Sequence, residues 1–123
     1  MTGSENFNEK YRKRTFLFSI QICKFYGKRY ADLSGRVIAN QIVRSATSVA
    51  ANFRAATRGR SPAEYYAKLC IVVEECDETV FWLELYEKTT DHVEPKFFEI
   101  KTESIELLKI FSTTKKNLKS PKS

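Results

Sequence analysis

The chain is poor in the residues from which catalytic and metal centres are usually assembled. Its one histidine, His92, falls in a stretch that reads as a loop. Ser45 and Ser48 have no histidine near them in sequence, and the three thiols sit among apolar neighbours without an activating base. The four glycines lack the spacing of a phosphate-cradling loop. A di-metal bundle needs two Glu-x-x-His motifs, which one histidine cannot supply, and residues 36–57 contain no carboxylate. The pairs Glu74/Glu78 and Asp77/Glu84 share helical faces, where solvation or ion pairing explains them better than acid–base chemistry. No enzyme, no metal and no cofactor is therefore expected.

Other absences bound the environment. No run of about 18 apolar residues offers a membrane span, and the first seven residues lack a basic segment followed by an apolar one. A cytoplasmic protein without membrane contact is expected. Cys23, Cys70 and Cys76 are odd in number and read as buried free thiols. Cys70 and Cys76 lie about 240° apart on a helix, too far round to share a metal. No strand pattern and no internal repeat is visible.

What the 123 residues do contain is helical periodicity and an uneven distribution of charge. Residues 1–7 read as a flexible tail, 8–118 as one domain, and 119–123 as a second tail. The first helix starts near Asn8, its stripe of Tyr11, Phe16, Phe18, Ile20, Ile22, Cys23, Phe25 and Tyr26 broad enough for contacts on two sides. The second runs from about Arg36, capped by Asp32 or Ser34, to Thr57. Its apolar stripe is Ile38, Ile42, Ala46, Val49, Phe53 and Ala56. A polar stripe of Gln41, Ser45, Ser48 and Asn52, with Arg44 alongside, faces either water or another subunit.

Gly59, as a left-handed helix terminator, and Ser61-Pro62-Ala63-Glu64, as a capping box, fix the start of the third helix at Pro62. That helix carries Tyr65, Leu69, Val72, Cys76, Val80 and Leu83 on its stripe and ends near Thr89 or Thr90. Pro95 opens the fourth, whose apolar face is Phe97, Phe98, Ile100, Ile105, Leu107, Leu108, Ile110 and Phe111 and which runs to about Leu118. Four helices with short links predict an all-α, antiparallel up-down-up-down four-helix bundle.

The net charge is +6. Residues 1–60 hold twelve Lys/Arg against three Asp/Glu, residues 61–94 hold two against nine, and residues 95–123 hold seven against three. In an antiparallel bundle the start of helix one, the ends of helices two and four, and the start of helix three share one end. That arrangement gathers Arg12, Lys13, Arg14, Arg54, Arg58, Arg60, Lys115, Lys116 and Lys119 into a basic pole. Such a pole suits phosphate, with Tyr11 or Tyr30 available to stack on bases. The competing reading is a set of basic helices packed beside an acidic one.

The segment Arg44-Ser45-Ala46-Thr47-Ser48-Val49-Ala50-Ala51-Asn52-Phe53, followed by Gly59-Arg60-Ser61 and Glu64-Tyr65-Tyr66-Ala67-Lys68-Leu69, resembles a known family. So do Trp82-Leu83, Leu107-Leu108-Lys109-Ile110 and Lys115-Lys116-Asn117-Leu118. The family comprises four-helix bundle proteins related to those encoded in 23S ribosomal RNA intervening sequences, and the resemblance spans about residues 8–118. Related sequences include the accessory protein of diversity-generating retroelements, a basic pentameric barrel that works with a reverse transcriptase and RNA. The resemblance implies a homopentamer and RNA or DNA binding, and by analogy a protein partner such as a reverse transcriptase. It matches Arg44, Ser48 and Asn52 to the family's polar positions on helix two and assigns the stripe, Gln41 included, to packing or subunit contact. Where the family has Asn-Ile and then an acid, this chain has Asn52-Phe53-Arg54-Ala55, which makes the region more basic. A non-enzymatic, oligomeric nucleic-acid-binding protein is expected. The alternative is a protein-interaction scaffold or accessory subunit without nucleic-acid contact.

Overall fold

The computed structural model describes residues 3–27 and 32–118, with side chains from Phe7 onward. Four helices follow one another: α1 (Gly3–Tyr26), α2 (Leu33–Thr57), α3 (Pro62–Thr89) and α4 (Pro95–Leu118). They pack in the order α1–α2–α3–α4, with α4 returning to α1 to close the bundle. Lys28, Arg29, Tyr30, Lys119, Pro121 and Lys122 lie outside the described residues. No helix among the described residues is long and apolar enough to cross a membrane.

The expected stripe of α2 is buried in full, from Ile38 through Ile42, Ala46, Val49 and Phe53 to Ala56. It meets Phe18, Ile22 and Tyr26 of α1, Leu69, Val72, Cys76 and Leu83 of α3, and Phe97, Ile100, Leu107 and Phe111 of α4 in one core. At about 0.8 kcal/mol per buried CH2 group, this contiguous apolar interior outweighs any single polar contact in holding the helices together. Ser45 and Thr79 are also fully buried, and the Thr79 hydroxyl donates to Ser45 Oγ at 2.9 Å, tying α2 to α3 inside the core. The Ser45 hydroxyl donates in turn to Gln41 O at 2.8 Å, and the single Thr79 hydrogen is shared between Ser45 Oγ and Glu75 O at 2.7 Å, so neither hydroxyl is left unsatisfied.

Helix ends follow their caps. Asp32 Oδ1 accepts from the Gly35 amide at 2.6 Å, which starts α2 at Leu33 rather than at Arg36. Ser61 Oγ accepts from the Glu64 amide at 3.1 Å and Pro62 takes the first helical position. The Glu64 carboxylate reaches one residue past the cap, to the Arg60 amide at 2.9 Å. Ser61→Ala should cost about 1 kcal/mol of stability, measured by urea unfolding.

Three expectations change. The segment read as a tail through residue 7 is helical from Gly3, because Phe7 has a place to pack, against Tyr11 at 4.6 Å and Phe53 at 6.2 Å between ring centroids. Gly59 does not adopt a left-handed conformation; α2 ends through Arg58 at φ −103°. Glycine suits position 59 because a Cβ there would lie 3.1 Å from the Ala56 carbonyl oxygen and 3.3 Å from Glu64 Cβ. Of the thiols only Cys76 is buried, whereas Cys70 is half-buried and Cys23 exposed. Burial pushes the Cys76 thiol up to about 12, which leaves it protonated and inert. Cys23, Phe16 and Ile20 occupy the second side of the broad α1 stripe, and no other helix of the bundle covers that side.

Candidate functional site

Four contacts place the start of α1, the end of α2, the start of α3 and the end of α4 at one end of the bundle. The Arg12 guanidinium donates to Thr57 Oγ1 at 3.3 Å, and the Tyr65 hydroxyl donates to Asn8 Oδ1 at 3.2 Å. Phe111 of α4 lies edge-on to Tyr11 at 5.8 Å and tilted against Phe53 at 5.0 Å. An aromatic plug thus fixes the end around which the basic residues are arrayed.

The cations at this end fall into groups. Arg12, Lys13 and Arg54 flank the outer surface of α1 and α2. Arg58 and Arg60 project from the α2–α3 turn, both exposed. Lys115 and Lys116 line a shallow cleft of about 370 Å3 between α4 and α3, beside Tyr66, Val73 and Ser112. Among the described residues, the side chains of Arg54, Arg58, Arg60, Lys115 and Lys116 make no hydrogen bond or ion pair, so their charges remain directed at solvent. Lys13 pairs with Glu9 at 3.1 Å within α1, an exposed contact of small energetic weight.

Arg14 is different. Its Nε and Nη2 donate to the two oxygens of Glu103 at 2.7 Å each, and Nη2 also reaches Glu106 at 2.8 Å. The hydrogen bonds to Glu103 foremost raise the guanidinium above its ordinary value even against desolvation. This fork locks α1 to α4, so Arg14 belongs to the bundle's frame and its charge is neutralised by two acids. Tyr11 is likewise removed from the list of stacking residues: at 8% exposure its ring is part of the core. Tyr30 lies outside the described residues. Tyr66 sits beside the free Lys115 and Lys116, and the chain advertises it only as one of two adjacent tyrosines after the α3 cap.

Members of the polar stripe of α2 bond to one another and to α3 within one copy of the chain. Arg44 accepts orientation from Gln41, donating to its Oε1 at 2.9 Å, and reaches across to α3 to pair with Glu75 at 3.4 Å and with Glu78. The Asn52 amide donates to Ser48 Oγ and to the Ser48 carbonyl, both at 2.9 Å. Both side chains are half-buried.

Glu78 and Glu106 are held below the ordinary carboxylate value, Glu78 by the Trp82 indole at 3.1 Å and then by Arg44, Glu106 by its bond from Arg14. A carboxylate lowered on folding stabilises the fold above its unfolded value of about 4.3, and that stabilisation is lost as pH falls through the lowered folded value. The melting temperature should therefore fall between about pH 5 and pH 3, with the Glu78→Gln/Glu106→Gln double variant showing a flatter profile.

Among the described residues no group of three His, Cys, Asp or Glu side chains is placed to hold a metal ion. This end of the bundle offers charge and hydrogen bonding to anions, with the Tyr66 ring nearby.

No curated protein matches the chain significantly. A solved structure from Bacteroides thetaiotaomicron, described as a protein of unknown function from the S23 ribosomal protein family, is similar. Its TM-score is 0.75 and its sequence identity 29%, over 89% of this chain and 97% of that one. The model of the 23S rRNA-intervening sequence protein family matches residues 8–113, which takes in all but the first five residues of α1 and the last five of α4. With that match over most of its length, the chain belongs to the 23S rRNA-intervening sequence protein family.

Proposed function

We propose that this protein is a non-enzymatic, self-associating cytoplasmic protein that binds RNA or DNA through phosphate contacts at the basic end of its bundle. The observation that carries the reading is the division of the cations. Arg14, Arg44 and Lys101 are spent on ion pairs between helices, while Arg54, Arg58, Arg60, Lys115 and Lys116 surround one end without an acidic partner among the described residues. Phosphate contacts of this type give affinity without sequence preference. Tyr66 beside Lys115 and Lys116 provides a face on which an unpaired base stacks.

Self-association multiplies such an end: linked copies raise the effective concentration of each site for the same strand. The homopentamer implied by the family resemblance is the assembly this reading adopts. The test is fluorescence anisotropy of a labelled 20-nucleotide RNA and of a DNA duplex, each over a salt series. Binding that weakens linearly in log salt supports the proposal, and absence of binding at low salt overturns it. A second reading, a scaffold that engages protein, is favoured by one observation: the uncovered apolar side of α1.

A further inference from the structure

The uncovered side of α1 forms one wall of a groove of about 800 Å3, with α2 as the other. Phe16, 62% exposed, stands on the α1 wall near Ile20 and Cys23, and Ala50 and Ala51 keep the α2 wall low. Cations bound the groove lengthwise: Arg12 and Arg54 at the basic end of the bundle, Lys24 at the other. From Arg12 to Lys24 the α1 wall is about 18 Å long at 1.5 Å per residue.

The same chain carries a surface of complementary character. Glu74, Asp77, Phe81 and Glu84 are all exposed and recur on α3 at spacings of three, four and three residues. At 100° per residue they share an arc of about 80° and span about 15 Å. This stripe lies on the flank of α3 turned away from α2, since Glu75 and Glu78, which do face α2, are the ones taken by Arg44. Phe81 remains 54% exposed, its only aromatic contact among the described residues being the edge of Trp82 at 5.0 Å. Among the described residues Glu74, Asp77 and Glu84 have no ion-pair partner. Acid, phenyl and acid thus follow one another on α3, over a length close to that on which base, phenyl and base follow one another in the groove.

We infer that the α1–α2 groove receives the outer stripe of α3 from a second copy of this chain. Phe81 seats against Phe16 over the low floor of Ala50 and Ala51, and the acids on either side of it meet the cations at the two ends of the groove. Charge complementarity of this kind fixes register and excludes the reverse pairing of like surfaces. Because groove and stripe lie on opposite flanks of the bundle, the contact is heterologous and joins successive copies head to tail, into a ring where the rotation between copies closes. The inference rests on the self-association proposed above and names the surfaces that perform it. It also divides the basic residues: Arg12, Arg54 and Lys24 serve the neighbour's acids, while Arg58, Arg60, Lys115 and Lys116 stay at the end of the bundle for phosphate.

The test uses two full-length variants at exposed positions, Phe16→Glu in the groove and Phe81→Lys on the stripe, each checked by circular dichroism for unchanged helical content and a cooperative melt. Native mass spectrometry and sedimentation are run without nucleic acid. The wild type is expected to assemble, and each variant alone to drop to the single-chain mass of 14.3 kDa. An equimolar mixture of the two is expected to give a 1:1 dimer and nothing larger, because it contains one usable groove and one usable stripe. Retention of the wild-type mass by either variant, or failure of the mixture to pair, overturns the contact. So does a monomeric wild type, for which the groove is left to an acidic helix of a different protein. A monomeric chain that still binds RNA in the salt series overturns this inference and leaves the nucleic-acid reading standing.

Discussion

Phe53→Ala should destabilise the fold by about 3–5 kcal/mol, the range for removing a fully buried phenyl ring. Phe53 is wholly buried at the end of α2 and lies within 5.0 Å of Phe111 and 6.2 Å of Phe7, ring centre to ring centre. Truncation therefore opens a cavity where α1, α2 and α4 meet, and rigid helix backbones cannot collapse to fill it. Against a typical total of 5–15 kcal/mol, that loss brings a domain of this size close to unfolding at room temperature. Urea denaturation followed by circular dichroism measures it as a lower midpoint at unchanged slope. Phe111→Ala should behave alike, and the double variant should cost less than the two single losses together, because both rings line one cavity. A loss below about 1 kcal/mol for Phe53→Ala would mean that the aromatic plug does not hold this end of the bundle.

Arg58→Ala/Arg60→Ala/Lys116→Ala should abolish much of the salt sensitivity of nucleic-acid binding while leaving the fold intact. Each phosphate contact contributes about 0.9 to the slope of log affinity against log salt on duplex DNA, so the triple variant's slope should be shallower by about 2.7. A fourfold dilution of salt should then strengthen its binding about 40-fold less than it strengthens the wild type's. All three side chains are exposed, so the melting temperature should move little. Arg14→Ala is the contrast: it removes the fork to Glu103 and Glu106 and should lower stability, with the slope changed only through any loosening of α1. An unchanged slope in the triple variant would place the phosphate contacts elsewhere on the surface.

Local signals were legible because they act over three or four residues. The α2 stripe, the Ser61 cap, and Pro62 and Pro95 as first helical residues all follow from periodicity and capping chemistry, and the structure agrees with each. Errors arose where a local sign had a non-local reason. Gly59 looks locally like a left-handed terminator, but what favours glycine there is the nearness of Glu64 and Tyr65 on the next helix. Phe7 looks like part of a tail because its partners, Tyr11 and Phe53, include one 46 positions away. Cys23 reads as buried because its neighbours are apolar, yet Ile22 and Tyr26 turn into the core while Cys23 and Ile20 line the groove on another side of α1.

For the candidate site the same boundary holds. The sequence by itself determined four amphipathic helices, their limits to within a few residues, and the convergence of basic segments at one end, since antiparallel connection by short links leaves no other arrangement. Only the tertiary structure decided which of those charges are free. Arg14 meets acids 89 and 92 residues away, Arg44 meets acids 31 and 34 away, and Thr79 meets Ser45 across 34. Whether a cation is neutralised, a thiol covered or a phenylalanine left in a groove depends on the rotation and spacing of helices distant in the chain. Side-chain packing across the whole core sets those two quantities, and no periodicity within a single helix encodes them.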